Sequence, residues 1–355
     1  MGTATGDGQP AGSPPPRIAV LGAGSIGCYL GGRLAPAADV TLIGRPAGMA
    51  VLRDKGLTLT TSTAPPRHLP PTALRTATDA RAAAGAGIVL VTVKSGGTRT
   101  AARDLAPYLG PQTVVCSLQN GLHNARLLRE ALPGHPVVTG TVPFNVVQTG
   151  PGRFHQGSGG SLLLDDTPAA RPLVAALARA GLAVRPHADM RGVQHAKLLM
   201  NLNNALNALS GLPLRRQLGE RAFRACLALC QREALAAFHA EGVTPARLAP
   251  VPPALTPHVL RLPDGLFRRV ARRTLAIDAE ARSSMWEDLQ RGRPTEIGSL
   301  QGEIVAMAAR HALPAPVSAR VVELVRDAEA APPGRRRTWT GRELLAELAS
   351  ARRDR

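Results

Sequence analysis

A glycine-rich turn near the N-terminus most strongly constrains how this chain can fold. Residues 18–27, IAVLGAGSIG, have the pattern of a β-strand, a Gly-x-Gly-x-x-Gly turn and the start of a helix. In such a turn the first glycine permits a tight bend, the second lets a pyrophosphate approach the backbone, and the third lets the helix pack on the strand. The helix N-terminus then offers free N–H groups to phosphates. We predict a dinucleotide site at Gly22, Ala23, Gly24, Ser25, Ile26 and Gly27; the alternative is a flexible Gly/Ala loop.

Strand-like and helical runs alternate through the first half of the chain. The predicted strands span residues 17–21, 39–43, 88–93, 113–118, 136–147, 153–155, 161–164 and 182–185. The predicted helices span residues 25–34, 98–109, 122–132 and 173–180. This rhythm is typical of a sheet with helices on both faces. We therefore predict an α/β N-terminal Rossmann-type domain with a largely parallel sheet.

The second half of the chain has a helical pattern. Helices are predicted over residues 191–209, 220–240, 277–290, 295–311 and 317–328, with a proline-rich loop over 243–263. An all-α C-terminal domain is expected to follow the first. The predicted division is a disordered leader (1–16), a dinucleotide-binding domain (17–187), a helical substrate domain (188–330) and a basic tail (331–355). The pattern Thr340-x-x-Glu343 is a capping box, which predicts a short final helix in that tail.

The chain is strongly basic, with a formal net charge of +18 in 355 residues. Such a charge suggests a nucleic-acid partner. Aromatic residues make up only 3% of the chain, however, and the arginines are dispersed apart from Arg335-Arg336-Arg337. A base-stacking surface and a nucleic-acid partner are therefore not expected. The charge instead favours small anions such as dinucleotide phosphates and carboxylates. No apolar run approaches the roughly 20 residues of a membrane span, so no membrane partner is expected.

The cysteine pattern bears on compartment and on metals. Cys28, Cys116, Cys226 and Cys230 form no paired framework, which fits a reducing cytoplasm. The N-terminal residues lack the apolar stretch of a secretion signal. Cys226 and Cys230 share a predicted helix face, but a metal site would need more ligands nearby. We predict a cytoplasmic protein with buried free thiols and no metal.

The end of the second strand indicates which dinucleotide is bound. Enzymes that use NAD usually carry Asp or Glu there to hold the ribose 2′-hydroxyl. This chain has Gly44-Arg45 instead, and a guanidinium suits a 2′-phosphate. We therefore predict NADP(H), with Arg45 as a ligand. The alternative is an ordinary surface arginine.

Lysine is rare in this chain. Of the 43 lysines and arginines, the lysines are Lys55, Lys94 and Lys197. An arginine stays charged at neutral pH, whereas a lysine is able to release a proton, so a surviving lysine can mark a position that arginine cannot fill. Lys94 ends a predicted strand and Lys197 lies in an apolar helix, whereas Lys55 resembles an ordinary loop residue. The alternative is chance survival under a codon usage that avoids lysine.

The helix that contains Lys197 is unusually rich in asparagine, at positions 201, 203, 204 and 207. Asparagine is unfavourable inside helices because its side chain competes for backbone hydrogen bonds. Locally unfavourable residues often mark functional sites. Lys197 and Asn201 share a helix face, where a lysine and amides would suit a ketone and a carboxylate. A polar interdomain face is the alternative.

Asn120 follows the predicted strand 113–118. It is either a ligand at the sheet edge or a plain turn residue.

Together these segments resemble the 2-dehydropantoate 2-reductase, or ketopantoate reductase, family over residues 17–328. The resemblance is carried by the glycine turn, Lys94, Gln119-Asn120-Gly121, Lys197 with Asn201, Ser283-Ser284-Met285 with Asp288, and Thr295-Glu296-Ile297. It implies NADPH-dependent reduction of 2-dehydropantoate to (R)-pantoate, a step toward coenzyme A. The expected partner is a small 2-keto acid, and the chain is expected to be a monomer or homodimer.

The resemblance also implies residue roles. Lys197 would be the general acid, Asn120, Asn201 and Ser284 would bind substrate, and Arg45, Lys94, Asn120 and Glu296 would line the cofactor side. A second substrate asparagine of the family falls on Ala205, so Asn204 is expected to replace it; Gly298 stands where relatives commonly have Asp. These departures motivate one alternative, a reductase of another branched 2-keto acid. The other alternative is a non-catalytic NADP(H)-binding redox sensor, which would keep the glycine turn and Arg45 but have no use for Lys197.

Overall fold

The computed structural model describes residues 15–271, 278, 280–332 and 334–353; the predicted leader lies, up to residue 14, outside them. The strands are β1 (Arg17–Leu21), β2 (Asp39–Ile43), β3 (Leu57–Thr61), β4 (Arg67–Leu69), β5 (Arg75–Ala77), β6 (Ile88–Val91), β7 (Val114–Ser117), β8 (Val137–Thr141), β9 (Val146–Gly150), β10 (Arg153–Gln156), β11 (Leu162–Asp165) and β12 (Val184–His187). The helices are α1 (Ser25–Leu34), α2 (Pro46–Lys55), α3 (Thr98–Leu105), α4 (Asn124–Ala131), α5 (Arg171–Arg179), α6 (Met190–Asn201), α7 (Asn203–Ser210), α8 (Leu214–Gly219), α9 (Arg221–Ala240), α10 (Thr256–Leu260), α11 (Asp264–Val270), α12 (Ser284–Gln290), α13 (Gln301–Arg310), α14 (Pro316–Ala330) and α15 (Gly341–Arg353).

The first half of the chain forms an eight-stranded sheet in the order β12-β11-β8-β7-β6-β1-β2-β5. Its neighbours are parallel except where β11 runs antiparallel to β8. A helical domain follows, so the predicted fold class is confirmed. Because β1 lies between β6 and β2, the chain order reverses there, and ligands of open α/β sheets bind beside the carboxyl ends of such strands.

Both faces of the main sheet are buried. Ile18 and Val20 of β1 belong to the apolar cluster that includes Leu30 of α1, whereas Ala19 joins a cluster on the opposite face with Ala102 of α3. Strands that are covered on both sides have nearly continuous apolar sequences instead of alternating ones. This is why β1 and β6 are visible as plain apolar runs in the sequence.

A second sheet of four strands, in the order β4-β3-β10-β9, was not predicted. Its edge strand β4 and the edge strand β5 of the main sheet have three residues each, Arg67–Leu69 and Arg75–Ala77. Such short, polar and exposed segments show no apolar alternation, so the sequence gives little sign of them. The single strand predicted over 136–147 is wrong, because β8 and β9 belong to different sheets.

The helical domain contains three short helices that were not predicted, α8, α10 and α11, and α10 lies within the predicted loop 243–263. It differs from the prediction at three further places. The single helix expected over 191–209 is two helices, α6 and α7, which meet at Leu202. The helix expected over 277–290 begins only at Ser284, since Ser283 caps it by accepting from the N–H of Trp286 at 3.2 Å; residues 277 and 279 lie outside the described residues. Glu296 does not begin the expected helix, because it precedes a single 3-10 turn before α13.

The end of the chain packs into the helical core. Helix α15 has 13 residues, and Trp339, Leu344 and Leu348 are buried in the same apolar cluster as α7, α9 and α14.

Within the described part of the chain, no helix has the length and apolar character needed to cross a membrane. No three His, Cys, Asp or Glu side chains among those described are grouped so that they could hold a metal ion.

Candidate functional site

The glycine turn joins β1 to α1 at the carboxyl edge of the main sheet. Gly22 has a φ of +105°, and a Cβ there would lie 2.5 Å from the backbone N of Val93. A Cβ on Gly27 would lie 2.7 Å from Oγ1 of Thr92. On Gly24, by contrast, a Cβ would meet no heavy atom closer than 3.9 Å. The protein's own packing therefore requires the first and third glycines, whereas the space beside Gly24 is open to a ligand.

The start of α1 suits an anionic ligand. Gly24 is its N-cap and supplies no side-chain cap, and the first turn carries no acidic residue. The backbone N–H groups of this turn thus face no carboxylate of their own helix, and the helix dipole favours negative charge there. The open space at Gly24 and the uncapped helix end together fit the pyrophosphate of a dinucleotide.

Arg45 lies beside this turn. The backbone N–H groups of Gly22 and Ala23 both donate to the Ile43 carbonyl at 2.9 Å, which ties the glycine turn to the end of β2. A Cβ on Gly44 would lie 2.9 Å from the Cβ of Ala23, so these two segments are in close contact. The Arg45 side chain is exposed and makes no hydrogen bond or ion pair with the residues that the structure describes. Its guanidinium is therefore available to an anion bound at the turn.

A second group of predicted residues meets across the boundary between the two domains. The Glu296 carboxylate accepts from the backbone N–H and the hydroxyl of Ser95, both at 3.1 Å, and from Nδ2 of Asn120 at 3.1 Å. Ser95 follows β6 and Asn120 follows β7, whereas Glu296 belongs to the helical domain. The two domains are thus joined at the carboxyl edge of the sheet by one carboxylate.

Lys94 makes a second bridge between the domains. Its Nζ lies 2.7 Å from Oδ2 of Asp288 and donates to the Pro294 carbonyl at 2.7 Å. Burial raises the pKa of the Asp288 carboxyl above its ordinary value, and the Lys94 ammonium opposes that shift. The structure therefore brings Lys94, Asn120 and Glu296 into one interdomain cluster.

Lys197 lies on α6, whose first turn packs against Leu163 of the main sheet. The side chain is partly buried, and its Nζ makes no hydrogen bond or ion pair with any residue in the described ranges. Burial lowers the pKa of Lys197 to about 8, and the nearby negative charge of Glu296 opposes the shift. A lysine of this kind is mostly protonated at neutral pH and yet is able to release its proton.

Two of the four asparagines have structural roles. Asn203 exchanges two hydrogen bonds with the Gln217 amide, at 3.1 and 3.0 Å, in a buried position. Asn207 donates to the Leu212 carbonyl at 2.9 Å and accepts from the backbone N–H of Ser283 at 2.9 Å. Their polar groups make hydrogen bonds within the helical domain, so the presence of these two asparagines is explained without a ligand.

Asn201 and Asn204 differ from that pair. Both are partly exposed, and their side chains have no hydrogen-bond partner within the described ranges. Asn201 lies one turn after Lys197, and the helix break at Leu202 separates it from Asn204. Ala205 is fully buried. The helix thus presents the amide of residue 204, and not the side chain of residue 205, outside the core.

Ser284 is the exposed first residue of α12. The preceding Ser283 donates through its hydroxyl to the Asn204 carbonyl at 3.0 Å, so the beginning of α12 rests on α7. The structure therefore places Ser284 beside the stretch of α7 that carries Asn204. Four of the predicted substrate residues lie on α6, α7 and α12, and we call this group the substrate wall: Lys197, Asn201, Asn204 and Ser284.

Comparison with known proteins fits this geometry. The family described as Ketopantoate reductase PanE/ApbA matches residues 18–168, and the one described as Ketopantoate reductase PanE/ApbA C terminal matches residues 189–329. The chain belongs to the ketopantoate reductase family. A 2-dehydropantoate 2-reductase of Halobacterium salinarum is 30% identical over 325 residues, which cover 88% of this chain and 99% of that protein.

Solved structures give the same family. A PanE/ApbA family ketopantoate reductase from Ralstonia eutropha is 32% identical with a TM-score of 0.75, and the match covers 88% of this chain and 98% of that one. A D-mandelate dehydrogenase solved with NADH and anilino(oxo)acetate has a TM-score of 0.74 at 18% identity, with 88% and 98% covered. At 18% identity, the similarity to D-mandelate dehydrogenase shows a shared fold and nothing more. The chain is therefore an oxidoreductase of the ketopantoate reductase family, whose members are nicotinamide-dependent.

The sequence did not point to Ser95, although this residue provides two of the three hydrogen bonds to Glu296. Its hydroxyl also lies 2.7 Å from the Asn120 carbonyl and accepts from Nδ2 of Asn124 at 3.2 Å. The signal that was available is its position directly after Lys94 at the end of a buried strand. Polar residues at such strand ends line the ligand edge of an α/β sheet.

Proposed function

We propose that this ketopantoate reductase family member reduces 2-dehydropantoate to (R)-pantoate with NADPH. We also propose residues 17–187 as the cofactor domain and 188–330 as the substrate domain, since the family matches at 18–168 and 189–329 fall within these ranges. The proposed product is a 2-hydroxy acid, which would serve the synthesis of pantothenate and coenzyme A. The cytoplasm is the proposed compartment.

The observation that carries the proposal is the lysine in the substrate wall. Lys197 is partly buried and has a pKa lowered to about 8. As the ketone is reduced, negative charge grows on its oxygen, and a nearby ammonium stabilises that charge before it donates a proton to the oxygen. Because this ammonium has no protein partner within the described ranges and a bound ketone would supply one, Lys197 is the proposed general acid.

The amides beside Lys197 would orient the substrate. Asn201 and Asn204 have side chains free of protein partners in the described ranges, and Ser284 is exposed beside them. Amide and hydroxyl donors of this kind would hold the substrate carboxylate and hydroxyl groups. Asn120 is proposed to contact both substrate and cofactor, since it lies in the interdomain cluster with Glu296.

The residues present fit a dinucleotide. The turn Gly22–Gly27 would hold the pyrophosphate, Arg45 would bind a 2′-phosphate, and Lys94 and Glu296 would line the cofactor side of the cleft. When bound, NADPH supplies the hydride for the ketone carbon. Arg45 at the end of β2, where NAD enzymes have a carboxylate, supports NADPH over NADH.

Consumption of NADPH by the purified protein tests this function. The panel would include 2-dehydropantoate, 2-ketoisovalerate, which lacks the hydroxymethyl group, and phenylglyoxylate, which has an aryl group. The proposal expects the highest kcat/KM for 2-dehydropantoate. A higher value for another keto acid would reassign the substrate. Tight NADPH binding without turnover of any keto acid would favour the non-catalytic sensor.

A further inference from the structure

The last segment of the chain lies beyond the part that the family matches, which ends at residue 329. We define residues Arg335–Arg353 as the C-terminal strap. It is firmly docked: the exposed fraction of Trp339 is 7%, and that of Leu344 and Leu348 is 0%. The strap is therefore part of the helical domain.

One arginine of the strap binds the ends of two helices. Nε of Arg336 donates to the Ala328 carbonyl at 2.9 Å, and its Nη1 donates to the Leu289 carbonyl. Ala328 lies in the last turn of α14, and Leu289 lies in the last turn of α12. The Leu289 carbonyl also accepts from the backbone N–H of Gly292 at 2.9 Å. Helix C-termini carry partial negative charge, so a guanidinium that reaches two of them stabilises both ends together.

The next residues of the strap hold a third helix. The backbone N–H of Trp339 donates to the Leu209 carbonyl at 3.0 Å, in the last turn of α7. A Cβ on Gly211, the C-cap of α7, would lie 3.2 Å from Cγ2 of Thr338. The Arg337 guanidinium covers the Trp339 ring at 3.6 Å, which keeps that ring in place. The strap thus contacts the far ends of both α7 and α12.

These are the two helices whose near ends form the substrate wall. Asn204 lies in the first turn of α7 and Ser284 begins α12. Helix α12 has seven residues, so it is only about 10 Å long. Because α12 is this short, a shift of its far end tilts the whole helix about its start, where Ser283 rests on α7, and so changes the orientation of Ser284.

We infer that the C-terminal strap is a positioning element of the substrate site, and that Arg336 is its positioning residue. Arg336 touches no substrate; it fixes α12, and α12 presents Ser284. The identity of the substrate rests on the proposed function, but the mechanical role does not. The two are separable because backbone mobility of α12 is measurable without turnover.

The test compares Arg336→Gln with Arg335→Gln, a matched control, since the Arg335 side chain makes no hydrogen bond or ion pair with the described residues. For Arg336→Gln we expect the KM for the keto acid to rise about tenfold, within the roughly 100-fold that a 1 Å misplacement causes. The Kd for NADPH should not change. Arg336→Lys should recover part of the loss, because an ammonium keeps the charge but lacks the planar fork.

Amide hydrogen exchange over residues 284–290 provides the second measurement. Exchange should be faster in Arg336→Gln than in Arg335→Gln, at a temperature where both are folded. Equal KM and equal exchange in the two variants would overturn the positioning role. If the wild-type protein turns over no keto acid, the proposed function fails and the exchange data alone decide the role of the strap. If Arg336→Gln does not fold, Arg336→Lys takes its place in both measurements.

Discussion

The glycine turn and the substrate wall are built in opposite ways. The turn is made of backbone: glycine is required at Gly22 and Gly27 by close neighbours, and the open space lies at Gly24. The wall is made of side chains from α6, α7 and α12, and its members depend on how those helices meet. A backbone site is specified within ten residues of sequence, whereas a side-chain site depends on contacts between distant segments. Each prediction below tests one side of this contrast.

Removal of the lysine should have the largest effect. Lys197→Ala is expected to lower kcat by about 10²–10⁴-fold, the usual contribution of a general acid. The Kd for NADPH should change little, because the proposed phosphate site lies at the glycine turn. Lys197→Arg should not restore full activity, since a guanidinium keeps the charge but does not release a proton at neutral pH. Steady-state kinetics and fluorescence titration with NADPH check both expectations.

The free energy of unfolding of Lys197→Ala provides the control for its loss of activity. Because burial lowers the pKa of Lys197 to about 8, its charged form is less favourable in the folded chain than in the unfolded one. This cost is fully present below about pH 8, falls as the pH rises from there toward the unfolded pKa, and is absent above it. Lys197→Ala should therefore not lower the free energy of unfolding at pH 7. A folded Lys197→Arg variant that is as active as the wild type would contradict proton donation by this residue.

The glycine turn predicts the opposite pattern. Gly24→Ala adds a methyl group whose nearest heavy atom among the described residues is 3.9 Å away, so the fold should be retained. The methyl would occupy the space proposed for the pyrophosphate, and we expect the Kd for NADPH to rise about 10- to 100-fold, the range for hydrogen bonds to a charged group. Gly265→Ala is the matched control, since a Cβ there meets no atom of the described residues within 4 Å. Equal NADPH affinity in both variants would place the pyrophosphate elsewhere.

Cofactor choice is the next test, and it concerns Arg45. This side chain is exposed beside the turn, and Arg45→Glu should reduce the preference for NADPH over NADH by about 10- to 100-fold, as expected for loss of charge-assisted hydrogen bonds to a phosphate. The ratio of kcat/KM for the two cofactors measures this preference. Arg53→Glu, in the last turn of α2, controls for the change in net charge. Equal use of both cofactors by the wild-type protein would refute the proposed role.

The pH dependence follows from the lowered pKa of Lys197. Its acid form predominates below pH 8 and is lost as the pH rises through about 8. We therefore expect kcat/KM for the keto acid to be highest below that value and to fall by about tenfold for each pH unit above it. In Lys197→Arg the residual rate should be flat over the same range, because a guanidinium does not titrate there. An identical decline in both proteins would assign the titration to another group.

The same contrast explains how much the sequence could predict. β1, α1 and β2 were predicted to their end residues, because a buried apolar run and three glycines leave few alternatives. The segment 46–77 was missed: β4 and β5 have only three residues each, whereas α2 and β3, in which leucines alternate with threonines, were overlooked. The partners of Glu296 come from the other domain, so no local pattern reveals them. The roles of the four asparagines could not be told apart from the sequence. The helix break at Leu202, which separates Asn201 from Asn204, is not marked by a proline or glycine, so the sequence does not reveal it.

The smallest expected effects distinguish two asparagines that the sequence alone could not. Asn203→Ala leaves the buried Gln217 amide without its partner, so the free energy of unfolding should fall by roughly 1–3 kcal/mol. Asn201→Ala removes a side chain that has no partner in the described ranges, so stability should stay the same while the KM for the keto acid rises by roughly 2- to 10-fold, the value of one neutral hydrogen bond. Denaturant unfolding and steady-state kinetics on both variants provide the comparison. If Asn201→Ala lowers stability and leaves KM unchanged, Asn201 is structural like Asn203, and the substrate wall loses the amide nearest Lys197 in sequence.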